Sequence, residues 1–369
     1  MARDSGSKNG ISVQFGLAID HGIWKGIESS RGVSAVLDCA VLAEEAGFDS
    51  IWVNEDPDGW DAFQVLAACA GVTTSVRLGT GVTNHFHRPP SLMAASVATL
   101  DRLTNGRAFL GIGRGQPDVY KHALGLDVSD PLSQMESTIA LLRSWWRAPF
   151  TASNAGIPFV SRLQRTIGPT QAPPIYIAAV GPKALELAGR VANGVLFNEL
   201  ATPQYVNWAV AQVRSSAVSA GRDPAELSFF ANPALTVTSD PESVFARKKA
   251  FVAMVHALPG MDRLLMTETF DVPEIMARVR SAMKTEEVLA RGGLFPELRE
   301  AGDIEAAKSM IPDGLIEEAS AIGSIEYVQS KVRDFVAAGA THLFVDRRGL
   351  PADSDQVREL LRDVSLFLR

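Results

Sequence analysis

Short apolar runs of strand length alternate with longer stretches of helical periodicity along most of this 369-residue chain. The runs read as strands at 13–19, 50–53, 76–82, 107–112, 175–180, 195–198, 227–237 and 341–345. Helical patterns occupy 33–46, 62–73, 90–103, 132–146, 182–191, 203–220, 243–257 and 325–338. Strands alternating with helices in this way run parallel, joined by crossover helices. Eight such units predict an α/β fold of the closed (β/α)8 TIM barrel type; an open doubly wound sheet is the alternative. Ala46-Gly47-Phe48-Asp49 and Ala338-Gly339-Ala340-Thr341 fit the helix-to-strand joints of a barrel. In each, glycine ends the helix in a left-handed conformation before the next strand.

Two segments break the rhythm. Residues 147–174, rich in Pro, Gly and Ser, read as an irregular excursion between the fourth helix and the fifth strand. Residues 258–323 carry Pro259-Gly260, Gly292-Gly293, Pro312 and helical stretches near 273–290 and 297–308. They read as a helical insertion before the last helix and strand. Insertions of this length form lids or pocket walls, and equally serve as surface or dimer contacts. Residues 1–10 read as a flexible tail, leaving 11–369 as a single barrel domain.

The net charge of -7, with no block of lysines and arginines, argues against a nucleic-acid partner. No apolar run approaches the ~20 residues needed to span a membrane. The first ten residues have no apolar core and do not read as a secretory signal. Cys39 and Cys69 each sit inside an apolar helical pattern, without a Cys or His partner at metal spacing. They read as buried, reduced thiols of a cytoplasmic protein.

The stretch 175–190 is the richest in chemical meaning. An apolar strand, Ile175–Val180, runs into Gly181, and a helix opens with Pro182 at its first position. Proline is tolerated there because the first helical N–H has no intrahelical partner. The N–H groups of Lys183 and Ala184, with the helix dipole, make a seat for a phosphate. An ordinary strand-to-helix connection is the alternative.

Barrel active sites lie at the carboxyl ends of strands. Those ends supply Asp20 and His21; Asn54, Glu55 and Asp56; Thr83, Asn84, His85, His87 and Arg88; Gly113, Arg114, Gly115 and Gln116. Further along come Ala179, Val180 and Gly181, then Asn198, Asn232, Asp346 and Arg347. His85 and His87, two apart, share a face if the backbone is extended. A metal is not expected, since no matching carboxylate–histidine pattern stands nearby. A substrate or cofactor contact and a plain loop histidine both remain open. Glu55 and Asp56 read either as an acid/base pair or as capping and salt-bridge groups. Gly111-Ile112-Gly113-Arg114-Gly115 lacks the complete dinucleotide spacing. It lets the backbone approach a flat ligand or makes a tight turn. Gly79 and Gly81 mark either a bulge against which something flat packs or a barrel corner. Neither a Gly-x-Ser-x-Gly elbow nor a Walker loop is present.

Taken together, these blocks resemble the luciferase-like flavin/deazaflavin oxidoreductase superfamily. The markers are Ala46–Val53, Arg77–Asn84, Ala98–Arg107, Leu110–Gly113 and Ile177–Arg190, and the resemblance runs over roughly 11–238 and 320–350. The last two blocks are most similar to the methylenetetrahydromethanopterin-reductase branch, which uses coenzyme F420. The resemblance implies a barrel with an insertion, a homodimer, and a non-prolyl cis peptide within Gly81–Thr83 that backs the deazaflavin ring. It also implies that the Gly181–Lys183 turn receives the cofactor phosphate. Gly81, Val82, Thr83, Asn84, Gly113, Gln116, Ala179, Val180, Gly181, Pro182 and Lys183 are the cofactor-binding residues it points to. Asp56 or Glu55 is the candidate for proton transfer or substrate orientation, with His85 and Gln116 as pocket contacts.

The resemblance has limits. Sugar-phosphate dehydrogenases of this superfamily carry histidine where Asp56 stands and glutamate where Gln116 stands, so their mechanism does not carry over. Bacterial luciferase also has a histidine near the first of these positions. The pterin reductases carry Arg-His-Pro where Arg88-Pro89-Pro90 stands, so the pterin substrate does not carry over either. The expectation is F420-dependent hydride transfer to or from a small organic substrate. The alternatives are a monooxygenase using oxygen and reduced FMN from a separate flavin reductase, and a catalytically inactive flavin-binding subunit.

Overall fold

The computed structural model describes residues 13–24, 32–55, 59–115, 117–126, 128–147, 168–346 and 354–365. In chain order the first half comprises β1 (Gln14–Ile19), α1 (Gly32–Ala46), β2 (Ser50–Val53), α2 (Ala62–Ala70), β3 (Arg77–Thr80), β4 (Thr83–Asn84), α3 (Pro90–Leu103), β5 (Ala108–Gly113), α4 (Pro117–Leu124) and α5 (Pro131–Arg147). Then follow β6 (Ile175–Ala178), α6 (Pro182–Val191), β7 (Gly194–Glu199), α7 (Pro203–Ser219), β8 (Ser228–Asn232), β9 (Thr236–Val237) and α8 (Pro241–Phe251). The remainder is α9 (Val272–Ala282), α10 (Thr285–Ala290), α11 (Phe295–Ala301), α12 (Ile304–Ser309), α13 (Asp313–Ala319), β10 (Ile322–Gly323), α14 (Ile325–Ala337), β11 (His342–Asp346) and α15 (Ser354–Ser365).

The main sheet runs β3-β2-β1-β11-β8-β7-β6-β5-β4, and β3 also pairs with β5. That last pairing closes the ring, so eight parallel strands form a barrel and the open-sheet alternative falls. Burial on both faces explains why the strands read as continuous apolar runs: every residue of β2 and of β5 is buried. The barrel interior is filled by rings. Trp52 lies 4.2 Å from Phe109, 4.8 Å from Phe230 and 5.2 Å from Phe344, centroid to centroid. Tyr176 joins the same cluster.

Two predicted strands are interrupted, each for a backbone reason. The third stops at Thr80 and resumes at Thr83, across a cis Gly81–Val82 peptide, and the resumed piece pairs with β5. The seventh ends at Asn232. Pro233 has no N–H to give a ladder, and Ala234 turns to φ 50 with its N–H on Asn232 Oδ1 at 3.1 Å. The chain then pairs β9 with β10 in a separate parallel ribbon.

Three helices, α4, α13 and α15, fall outside the predicted set. α4 is short, and α15 is strongly charged. α15 nevertheless buries Val357, Leu361 and Val364 at helical spacing and packs against α1. The helix expected over 243–257 is α only to Phe251; Val252–His256 continue as a π-helical turn. Between α8 and β10, helices α9 to α13 share a second apolar cluster, with Val252, Met276, Val279, Leu298 and Ile316 fully buried. Among the described residues no helix is long and apolar enough to cross a membrane.

Candidate active site

A cavity of about 720 Å³ opens at the carboxyl ends of the strands. The aromatic fill of the barrel reaches it through Trp52 and Phe344. Gly81 and Val82 line it from the cis bulge, Gly113 from β5, and Ala179 to Lys183 from the β6–α6 turn. Residues distant in sequence join them: Leu132 and Met135 of α5, and Pro259, Met261, Arg263 and Phe295 of the 258–323 segment.

Each glycine of the site region has a separate cause. A Cβ on Gly79 would overlap the Phe109 ring, so the flat object packed on this strand is a protein side chain. A Cβ on Gly111 would overlap the Thr80 carbonyl oxygen, because β3 and β5 approach closely there. Gly115 sits at φ +61 with Tyr120 in the space a side chain would need. A Cβ on Gly81 would stand 2.9 Å from Trp52 Cβ, yet Gly81 also faces the cavity.

The turn at Gly181 has the geometry of an anion seat. Gly181 is extended, Pro182 opens α6, and Ala184 and Leu185 both donate to the Gly181 carbonyl at 3.0 Å. The first turn is therefore closed i to i+3. This corrects the expectation that the Ala184 N–H is free; Lys183 N–H remains as a first-turn donor. Tyr205 Oη–H donates to the Val180 carbonyl at 2.8 Å and fixes the end of β6. Burial raises the Tyr205 phenol, and the charge of Arg263 acts against the rise. Arg263 Nη1 lies 3.7 Å from where a Gly181 side chain would begin. A helix N-terminus and a guanidinium thus meet at Gly181, with Lys183 next to them on the cavity wall, an arrangement suited to a phosphate. Arg263 was invisible to strand-end reading because it comes from the insertion.

Thr83, Asn84, Glu55 and His85 are not part of the cavity wall. Thr83 Oγ1–H donates to Glu55 Oε2. Glu55 is 5 % exposed, and Arg88 grips it, with Nε 3.0 Å from both carboxylate oxygens and Nη2 2.6 Å from Oε1. Arg88 also pairs with Asp61 at 2.7 Å and lies over the Phe63 ring. Asp61 in turn caps α2 by accepting from Phe63 N and Gln64 N, and its carboxyl is held below the usual range despite burial. Of the two roles open to Glu55, the salt bridge is the one formed. Asn84 braces the next turn: Nδ2 donates to Tyr120 Oη at 2.9 Å, and Oδ1 accepts from Phe86 N and His87 N. His85 is buried against Phe86, with no hydrogen-bond partner on either ring nitrogen among the described residues. Burial pushes its pKa down to about 4, so the ring is neutral at pH 7. Asp56 and Gln116 lie outside the described residues.

At the end of β7 the ladder with β8 slips: Leu196 faces Phe230, while Glu199 faces Asn232. One extra residue on β7 makes a bulge, a device that re-aims side chains beside active sites. Glu199 thereby lines the cavity, ion-paired with Lys248 of α8.

A family model described as luciferase-like monooxygenase matches residues 13–342. A 5,10-methylenetetrahydromethanopterin reductase of Methanolobus tindarius is 28% identical over 317 residues, covering 85% of this chain and 90% of that protein. An F420-dependent glucose-6-phosphate dehydrogenase of Beutenbergia cavernae is 29% identical over 273 residues, covering 69% of this chain and 78% of that protein. The structure of a coenzyme F420 dependent tetrahydromethanopterin reductase from Methanopyrus kandleri superposes with a TM-score of 0.75 at 22% identity. It covers 97% of this chain and 100% of that one, and supports the fold.

Proposed function

The chain belongs to the luciferase-like monooxygenase family and is an oxidoreductase of that family, and from this premise we propose that it moves a hydride between coenzyme F420 and a small organic substrate. The observation that carries the reading is that the α6 N-terminus meets Arg263, with Lys183 on the same wall, in a cavity that also meets the cis Gly81–Val82 bulge. The residues fit a phosphate-bearing flavin or deazaflavin. The seat supplies backbone N–H and two cations, and Gly81 leaves the bulge without a side chain. Relatives named as F420-dependent favour the deazaflavin.

When bound, the deazaflavin supplies a ring carbon that accepts or donates a hydride. The protein's own part is positioning. Lys183, Arg263 and the first turn of α6 would hold the phosphate, and Gly81, Val82 and Gly113 would take the ring. Thr83, Asn84, Glu55 and Arg88 brace the bulge from behind. In this reading Asp56 takes the proton-transfer or orienting role, with Gln116 as a contact, His85 stays behind the wall, and the enzyme works as a cytoplasmic homodimer.

The test is a fluorescence titration of the purified protein with F420 and, separately, with FMN. Tighter binding of F420 is expected. Preferential binding of FMN, above all of its reduced form, would overturn the reading. It would redirect attention to oxygen-dependent chemistry fed by a flavin reductase, since a deazaflavin does not activate oxygen.

A further inference from the structure

Glu199 is the single carboxylate among the described residues that line the cavity, against the cations Arg114, Lys183 and Arg263. Its two oxygens are not equivalent. Oε1 accepts from Lys248 Nζ, whereas Oε2 has no hydrogen bond from any described residue. The neighbouring amide oxygens are already used: Asn198 Oδ1 accepts from Glu199 N at 2.8 Å, and Asn232 Oδ1 from Ala234 N at 3.1 Å. Each keeps at most one lone pair, so Oε2, a charged oxygen without a donor among the described residues, is the strongest open acceptor in this corner. An ionised carboxylate only accepts hydrogen bonds. Pinned on one side by an ammonium, it offers the other side to a donor and not to a second acceptor.

The walls nearby set the rest of the ligand's chemistry. Leu132, Met135, Val255 and Phe295 present apolar surface to the same cavity. We propose that Glu199 determines the substrate class: a small molecule with an apolar body and a hydroxyl or protonated amine that donates to Oε2. Carboxylate-bearing molecules are disfavoured in this corner, because a second acceptor of like charge beside Glu199 is unfavourable. Lys248 acts through Glu199 and is a positioning residue. This deepens the function proposed above and rests on it only in taking the cavity as the substrate site; the identity of the cofactor does not enter.

The experiment is equilibrium binding of benzylammonium, benzyl alcohol and benzoate to the full-length protein. Inorganic phosphate is kept at high concentration, so that the α6 seat is not open to benzoate. In the unaltered protein, benzylammonium and benzyl alcohol are expected to bind at least about tenfold more tightly than benzoate. Glu199→Gln, checked for folding by its melting temperature, is expected to abolish that preference. Lys248→Met, which frees both oxygens of Glu199, is expected to keep or enlarge it. The proposal is overturned if none of the three probes binds, or if benzoate binds as tightly as the other two. It is also overturned if the preference survives Glu199→Gln or disappears in Lys248→Met. Should Glu199→Gln fail to fold, Lys248→Met alone decides. Failure here with tight F420 binding would remove the substrate class and leave the hydride-transfer reading standing.

Discussion

The glycines inside the barrel and the glycines at its mouth are the same residue serving opposite ends. Gly79 and Gly111 leave space that the protein itself fills, with the Phe109 ring and the Thr80 backbone. Gly181 stands on the cavity wall, and the nearest atom to a Cβ there is Arg263 Nη1 at 3.7 Å; Gly113, also on the wall, is close-packed, with Val82 Cγ2 at 3.0 Å. Missing side chains close the lower barrel and, at Gly181, open the upper one. A glycine-rich strand is therefore evidence of close approach, but not of what approaches.

The strongest test of that contrast is Gly111→Ala. The added methyl meets backbone, which cannot rotate away, so β3 and β5 must part. A loss of about 3 kcal/mol or more is expected in chemical denaturation. A loss under about 1 kcal/mol would show that the interior is looser than its packing implies.

Acid should loosen the filled regions next. Burial holds His85, His256 and His342 at pKa values of about 4, below the ordinary 6.5. Between those values the unfolded chain binds more protons than the folded one, so stability falls as pH drops from 6.5 towards 4. At pH 5 the loss is about 2 kcal/mol for each histidine. Denaturation at pH 7 and pH 5 measures it, and His85→Gln should show a smaller acid loss than the unaltered protein. Equal stability at the two pH values would mean that these rings are hydrated.

At the open end the effects should appear in binding instead. Arg263→Gln is expected to weaken F420 binding roughly tenfold, about 1.4 kcal/mol, with an unchanged melting temperature. Gly181→Ala, whose methyl finds ordinary contact space, should change stability by under about 0.5 kcal/mol. If Gly181→Ala destabilised the protein as much as Gly111→Ala, the contrast between the two ends would be lost.

Much of this architecture could be read from the chain. Alternating apolar periodicity is a local property, and eight repeats of it leave a parallel barrel as the economical solution. The Gly181-Pro182 turn was legible for the same reason: its extended glycine and N1 proline are set by adjacent residues. Breaks in strands were less so. Pro233 marks the end of β8 only once its missing N–H is placed in a ladder, and α15 hides its apolar stripe among charges. Strand-end reading named Glu55 and His85 as candidates, but it could not tell that Arg88 occupies the first or that Phe86 covers the second.

The residues by themselves determined the order of strands and helices, the turns, and which chain segments end at the mouth of the barrel. These follow from nearest-neighbour backbone preference and from periodicity. Tertiary structure alone decided which side chains face one another across that mouth. Arg263 reaches Gly181, and Lys248 holds one oxygen of Glu199, which a single-residue slip between β7 and β8 leaves on the cavity wall. Pairings of this kind depend on the register and closure of the whole sheet, and no window of neighbouring residues contains that information.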